Sequence, residues 1–239
     1  MTCFLTSSPC IVGGNFFNPA NDFVKELKNA LPTKPLTVVF AASSPDDFAA
    51  TELYGGYMKE TVENAGFAVK EYIFLDRRNA DQAKSLVEKA DFIILAGGHV
   101  PTQNAFFQDI DLKTLLRDFN GVVMGISAGT MNSAETVYSQ PEREGEAIDP
   151  AYRRFYPGLG LTKVQILPHY NLCKDDVLDG LRVFEDIAYP DSMGNCFYAM
   201  MDGSYLLIKE GRETICGETY RIADGVLTAF CGDGQRVLL

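Results

Sequence analysis

Gly125-Ile126-Ser127-Ala128-Gly129 places a serine between two glycines, directly after an apolar run and before a helix-compatible one. Glycines at that spacing permit a sharp strand-to-helix turn. Such a turn lifts the hydroxyl out of a sheet toward the first amides of a helix, where developing negative charge is favoured. The same pentapeptide also occurs in ordinary tight turns, so its partners decide its meaning. A serine nucleophile needs a base, and His99 and His169 are the only histidines in the chain. His169 ends the apolar segment of Leu167-Pro168-His169-Tyr170-Asn171, which predicts a position at the carboxyl edge of a sheet, where Ser127 would also lie. The spacing therefore favours His169 as the base. A carboxylate should hold its ring, and Asp202, between the strand-like Phe197–Met201 and Tyr205–Ile208, competes with Glu142, Glu144, Glu146 and Asp149. Residue type alone leaves that choice open, because Asp-Gly also marks hairpin turns. For an oxyanion the Ala128 amide is placed to donate, with a second amide from the loop Leu95-Ala96-Gly97-Gly98-His99. The order Ser127, His169, Asp202 differs from the serine, acid, histidine order of α/β-hydrolases.

These residues need a scaffold that presents strand ends. The first two thirds of the chain alternate β-rich apolar runs with amphipathic stretches, which predicts an α/β fold with a mostly parallel sheet flanked by helices on both faces. Strands are predicted at Thr37–Ala42, Val69–Leu75, Phe92–Ala96 and Val122–Ile126, a weaker one near Val164–Leu167, and a first one within MTCFLTSSPC. Helices are predicted at 46–65, 80–90, 101–107, 112–119 and 128–135, and from Lys174 to about Ile187, ahead of Tyr189-Pro190. The last forty residues, punctuated by Asp-Gly and Glu-Gly, read as antiparallel hairpins. Residues 139–160, rich in Pro, Glu, Arg and Gly, read as a long surface excursion, and one domain over 1–239 is the simplest division.

Composition removes other classes. With 21 basic against 32 acidic residues the formal charge is −11, which disfavours nucleic acid and anionic membrane surfaces as partners. No run approaches the roughly 18 apolar residues of a spanning helix. The N-terminus lacks the basic and long apolar regions of a signal peptide, so the cytoplasm is the expected location. Six scattered cysteines without a Cys-x-x-Cys pair, and two histidines, argue against a zinc site and for free thiols.

Together, GGHVPTQN at 97–104, GISAGT at 125–130, LPHYN at 167–171 and MMDGSYLLI at 200–208 resemble the S51 serine peptidases, a family that includes aspartyl dipeptidases and cyanophycinases. The resemblance spans about Val69 to Ile208. It implies a class I glutamine amidotransferase-like fold, Ser127 as nucleophile, His169 as its histidine, and Gly98 with Ala128 as oxyanion donors, without metal or cofactor. Three positions depart from the family pattern: His99 stands where Asn usually follows the glycine pair, Thr130 where a smaller residue follows the elbow, and Asp202 where a Glu is found. Arg182 is the nearest match to the arginine by which aspartyl dipeptidases recognise an N-terminal Asp, offset by about one residue. The expectation is a serine exopeptidase acting on short peptides, those with N-terminal Asp among them, through an acyl-enzyme. The alternatives are cyanophycinase-like or isoaspartyl hydrolysis, cleavage of small esters, and a non-catalytic binding protein of the same fold. A small peptide is the expected partner, and monomer and homodimer stay open.

Overall fold

The computed structural model describes residues 1–239. The strands β1 (Thr2–Thr6), β2 (Leu36–Ala41), β3 (Val69–Leu75), β4 (Phe92–Leu95) and β5 (Val122–Ile126) lie in the order β1-β5-β4-β2-β3 and are parallel throughout. Beyond β1 the sheet continues antiparallel through Tyr205–Lys209, Arg212–Cys216 and Arg236–Leu238, giving eight strands. The inner strands are continuously apolar because both of their faces are covered. Along β2, Val38 and Phe40 enter one layer, while Val39 and Ala41 enter the other. The first layer is closed by α1 (Phe23–Ala30) and α2 (Phe48–Asn64), through Phe23, Leu27, Met58 and Val62. The second is closed by α3 (Ala83–Lys89), α4 (Val100–Asp109) and α5 (Leu112–Arg117), through Leu86, Phe106, Phe107 and Leu116. The predicted α/β architecture is the one observed.

The chain leaves β2 for α2 on one face and leaves β4 for α4 on the other, so a crevice opens between these neighbouring strand ends. A second sheet of four strands, ordered Val226–Cys231, Thr219–Ala223, Cys196–Met200 and Gln165–Leu167, stands over a third apolar cluster that contains Tyr138, Phe184, Phe197 and Ile222.

Three expectations need correction. Residues 174–187 do not form one continuous helix, and only the part from Val183 onward is helical. Asp179 and Gly180 both have positive φ (54° and 83°) and form a two-residue turn between the short strands Val177–Leu178 and Leu181–Arg182, the geometry that Asp-Gly favours. A π-helical turn, Val183–Ala188, follows, and Pro190 sits within the next helical turn and does not end one. Residues 128–135 are helical only over Ala128–Met131, because the carbonyls of Asn132 and Ser133 accept from Leu159 and Leu161 of the returning chain. Finally, Glu210-Gly211 and Asp224-Gly225 are hairpin turns, but Asp202-Gly203 is not: Cys196–Met200 and Tyr205–Lys209 belong to different sheets.

Candidate active site

Ser127 stands at the end of β5, with φ 49° and ψ −110°. A non-glycine residue rarely adopts this conformation, and the packing around it explains why it persists here. A Cβ at Gly125 would stand 2.9 Å from the Thr130 backbone, and one at Gly129 would collide with the Leu95 carbonyl. The Gly129 amide donates to Ala96 O at 3.1 Å, tying the turn to the Gly97-Gly98 loop. A Cβ at Gly97 would be 3.4 Å from the Ser127 Cβ, so this loop lies against the serine. The buried Thr130 side chain donates to Thr6 O at 2.7 Å, while Thr6 Oγ1 donates to Gly125 O at 2.7 Å. The hydroxyl at position 130 thus binds the elbow to β1.

His169 follows the strand Gln165–Leu167 of the second sheet and also has positive φ, 58°. Its Nδ1 lies 2.7 Å from Asp202 Oδ1. With the Nδ1 proton directed at a carboxylate, Nε2 keeps its lone pair and can accept a proton. Ser127 and His169 line one cleft of about 320 Å³. The crossover between sheets carries Asp202 to this ring, where Ser7 and Asn171 hold it. Ser7 Oγ donates to Asp202 Oδ1 at 2.8 Å and accepts from the His169 amide at 2.7 Å. Asn171 accepts from the Asp202 amide at 2.8 Å and donates back to Oδ2 at 3.3 Å. Burial alone would raise the Asp202 pKa, but the His169 ring, Ser7 and Asn171 together hold it below the usual carboxylate value. Sequence reasoning passed over Ser7, whose only signal is its place just after the central strand.

The other candidates separate. His99 points away from the base role: Nδ1 meets Thr102 Oγ1 at 2.7 Å and Nε2 meets Glu146 Oε1 at 2.8 Å. Glu146 Oε2 in turn accepts from the Glu142 and Arg143 amides, so His99 fastens residues 139–154 across the site. Asp179 adds a second anchor by accepting from the Gly145 and Ala147 amides. Arg182 does not enter the cleft. It lies on the hairpin, its side chain is 60% exposed, and its guanidinium is paired with Asp186 at 2.7 Å. Glu142 does line the cleft with Ser127 and His169. Solvent reaches this carboxyl, yet protein surrounds it on most sides, and desolvation followed by the charge of Glu146 pushes its pKa up to about 7. Cys173, in the same wall, is pushed by burial up to about 12 and stays a thiol.

A model of Peptidase family S51 matches residues 3–216 of the chain. A crystal structure of a peptidase from an acI-B1 Actinobacterium superposes with a TM-score of 0.66 at 16% identity, covering 100% of this chain and 96% of that one. A crystal structure of a protein assigned as a peptidase E, from Listeria monocytogenes EGD-e, superposes with a TM-score of 0.59 at 16% identity, covering 96% of this chain and 98% of that one. At such identity these likenesses establish the fold. No curated protein sequence matches the chain.

Proposed function

The chain belongs to peptidase family S51, a premise from which we propose that it hydrolyses short peptides through an acyl-enzyme on Ser127. The observation that carries this reading is the 2.7 Å bond from His169 Nδ1 to Asp202, with the same His169 lining one cleft with Ser127. His169 Nε2 takes the serine proton as Oγ attacks the scissile carbonyl, and returns it to the leaving amine as the C–N bond breaks. The amides of Gly98 and Ala128 donate to the oxyanion, and water, deprotonated by the same ring, releases the acid and restores Ser127. Asp202 stays ionised, holds the ring and balances its positive charge. An aspartate serves where a glutamate is usual because Ser7 and Asn171 fix it within hydrogen-bond reach.

The test combines active-site labelling with product analysis. A fluorophosphonate should modify Ser127 in the wild-type protein and fail to label Ser127→Ala. Mass spectrometry of unblocked di- and tripeptides should show cleavage that Ser127→Ala and His169→Ala each reduce by several orders of magnitude. Equal rates in wild type and Ser127→Ala would refute the reading.

A further inference from the structure

Residues 142 and 143 are adjacent in sequence but face different clefts. Glu142 lines the one that holds Ser127 and His169. Arg143 lines a neighbouring cleft of about 540 Å³, walled by Phe40, Tyr54, Tyr57 and Met58, with Gly97 and Gly98 between it and the serine. This second cleft occupies the crevice between the ends of β2 and β4, where open α/β sheets place ligands. The backbone that splits the two side chains is rigidly held, since the Glu142 and Arg143 amides both donate to Glu146, itself bound to His99. The ion pairs around the site are His99–Glu146, His169–Asp202 and Arg182–Asp186, none of which engages Glu142 or Arg143.

Charge then assigns polarity. The serine cleft is lined by Glu142 and Asp176 and by no lysine or arginine, so it suits a cation and repels an acidic side chain. The aromatic cleft has a single charged lining residue other than its histidine, the cation Arg143, which suits a carboxylate beside an apolar group. Two long side chains diverging from neighbouring Cα atoms suit a ligand of two or three residues, roughly 7–11 Å end to end when extended.

We propose that Glu142 and Arg143 read the two ends of an unblocked short peptide: Glu142 receives its ammonium in the Ser127–His169 cleft, and Arg143 its terminal carboxylate beside the aromatic cleft, which seats an apolar C-terminal side chain. This rests on the serine-peptidase reading and specifies its substrate class. It replaces recognition of an N-terminal Asp, for which the serine cleft offers no arginine or lysine. An arriving ammonium would also stabilise the ionised form of Glu142, which partial desolvation and the charge of Glu146 disfavour in the free protein.

The experiment is calorimetric titration of the Ser127→Ala protein with Ala-Phe, N-acetyl-Ala-Phe, Ala-Phe-amide and Ala-Gly. Each cap should weaken binding by at least about tenfold, and Ala-Gly should bind less tightly than Ala-Phe. Glu142→Gln in this background should abolish the penalty for acetylation and keep that for amidation, with Arg143→Gln giving the converse. Cap penalties that are absent, or unchanged by both substitutions, would overturn the proposal, as would failure of Ala-Phe to bind. These titrations need no turnover, so they fail or succeed separately from the catalytic reading, which fails if fluorophosphonate leaves wild-type Ser127 unmodified.

Discussion

One hydroxyl, that of Ser7, serves two members of the proposed triad by accepting from the His169 amide and donating to Asp202. Removing it should loosen the acid without removing it. Ser7→Ala is expected to lower kcat by roughly 10- to 100-fold, the worth of one hydrogen bond to a charged group. Asp202→Asn should lower it by up to about 10⁴-fold, because an amide no longer compels the Nδ1–H tautomer. Steady-state kinetics on a cleaved dipeptide decides both, and a Ser7→Ala loss equal to that of Asp202→Asn would mean that Ser7 acts on more than the acid. At this scale sequence was informative where chemistry is scarce. Two histidines narrowed the candidate base to His169, whereas the acids were too many to separate by type. Asp202 was singled out by its place in the MMDGSYLLI motif and not by its type, since Asp-Gly equally marks a hairpin, and Ser7 lies 120 positions before the nucleophile with no motif of its own.

Among the elements, the turn around Ser127 is the most tightly determined. Gly129 faces the Leu95 carbonyl with no room for a methyl group. Gly129→Ala should therefore destabilise the fold by about 1–3 kcal/mol and displace Ser127, measurable as a lower urea midpoint together with slower fluorophosphonate labelling. An unchanged midpoint would show that β4 yields easily. The core strands β2, β4 and β5 were legible because strands covered on both faces are apolar without interruption. The helix expected over 174–187 was not, although Val177-Leu178-Asp179-Gly180-Leu181-Arg182 carried a hairpin signal of its own. Its failure moved Arg182 from a helix face at the site to an exposed hairpin.

Across the whole molecule, an acidic chain with charge −11 places carboxylates in its cleft, and one of them, Glu142, is expected to make stability depend on pH. Desolvation and the charge of Glu146 push the Glu142 carboxyl up to about 7 from the usual 4.5. The folded state is therefore expected to bind the extra proton between these values and to lose relative stability as pH rises through that window, by a modest amount because the residue is exposed and solvent screens it. Glu142→Gln should leave the melting temperature unchanged below pH 4.5 and raise it relative to wild type above pH 7. Parallel melting curves across the range would reject the shift. The position of β1 has a different consequence, for the order of assembly during synthesis. This first strand pairs on one side with residues 122–126 and on the other with 205–209, so its second edge stays open until the ribosome has delivered the latter. Ser7, immediately after β1, meets Asp202 on the segment leading into that last partner. Nascent chains stalled before residue 209 emerges are therefore expected to resist fluorophosphonate labelling, and labelling of such chains would show that the elbow matures alone. On that order of synthesis the proposed triad stays incomplete until the segment carrying Asp202 has emerged and paired with β1.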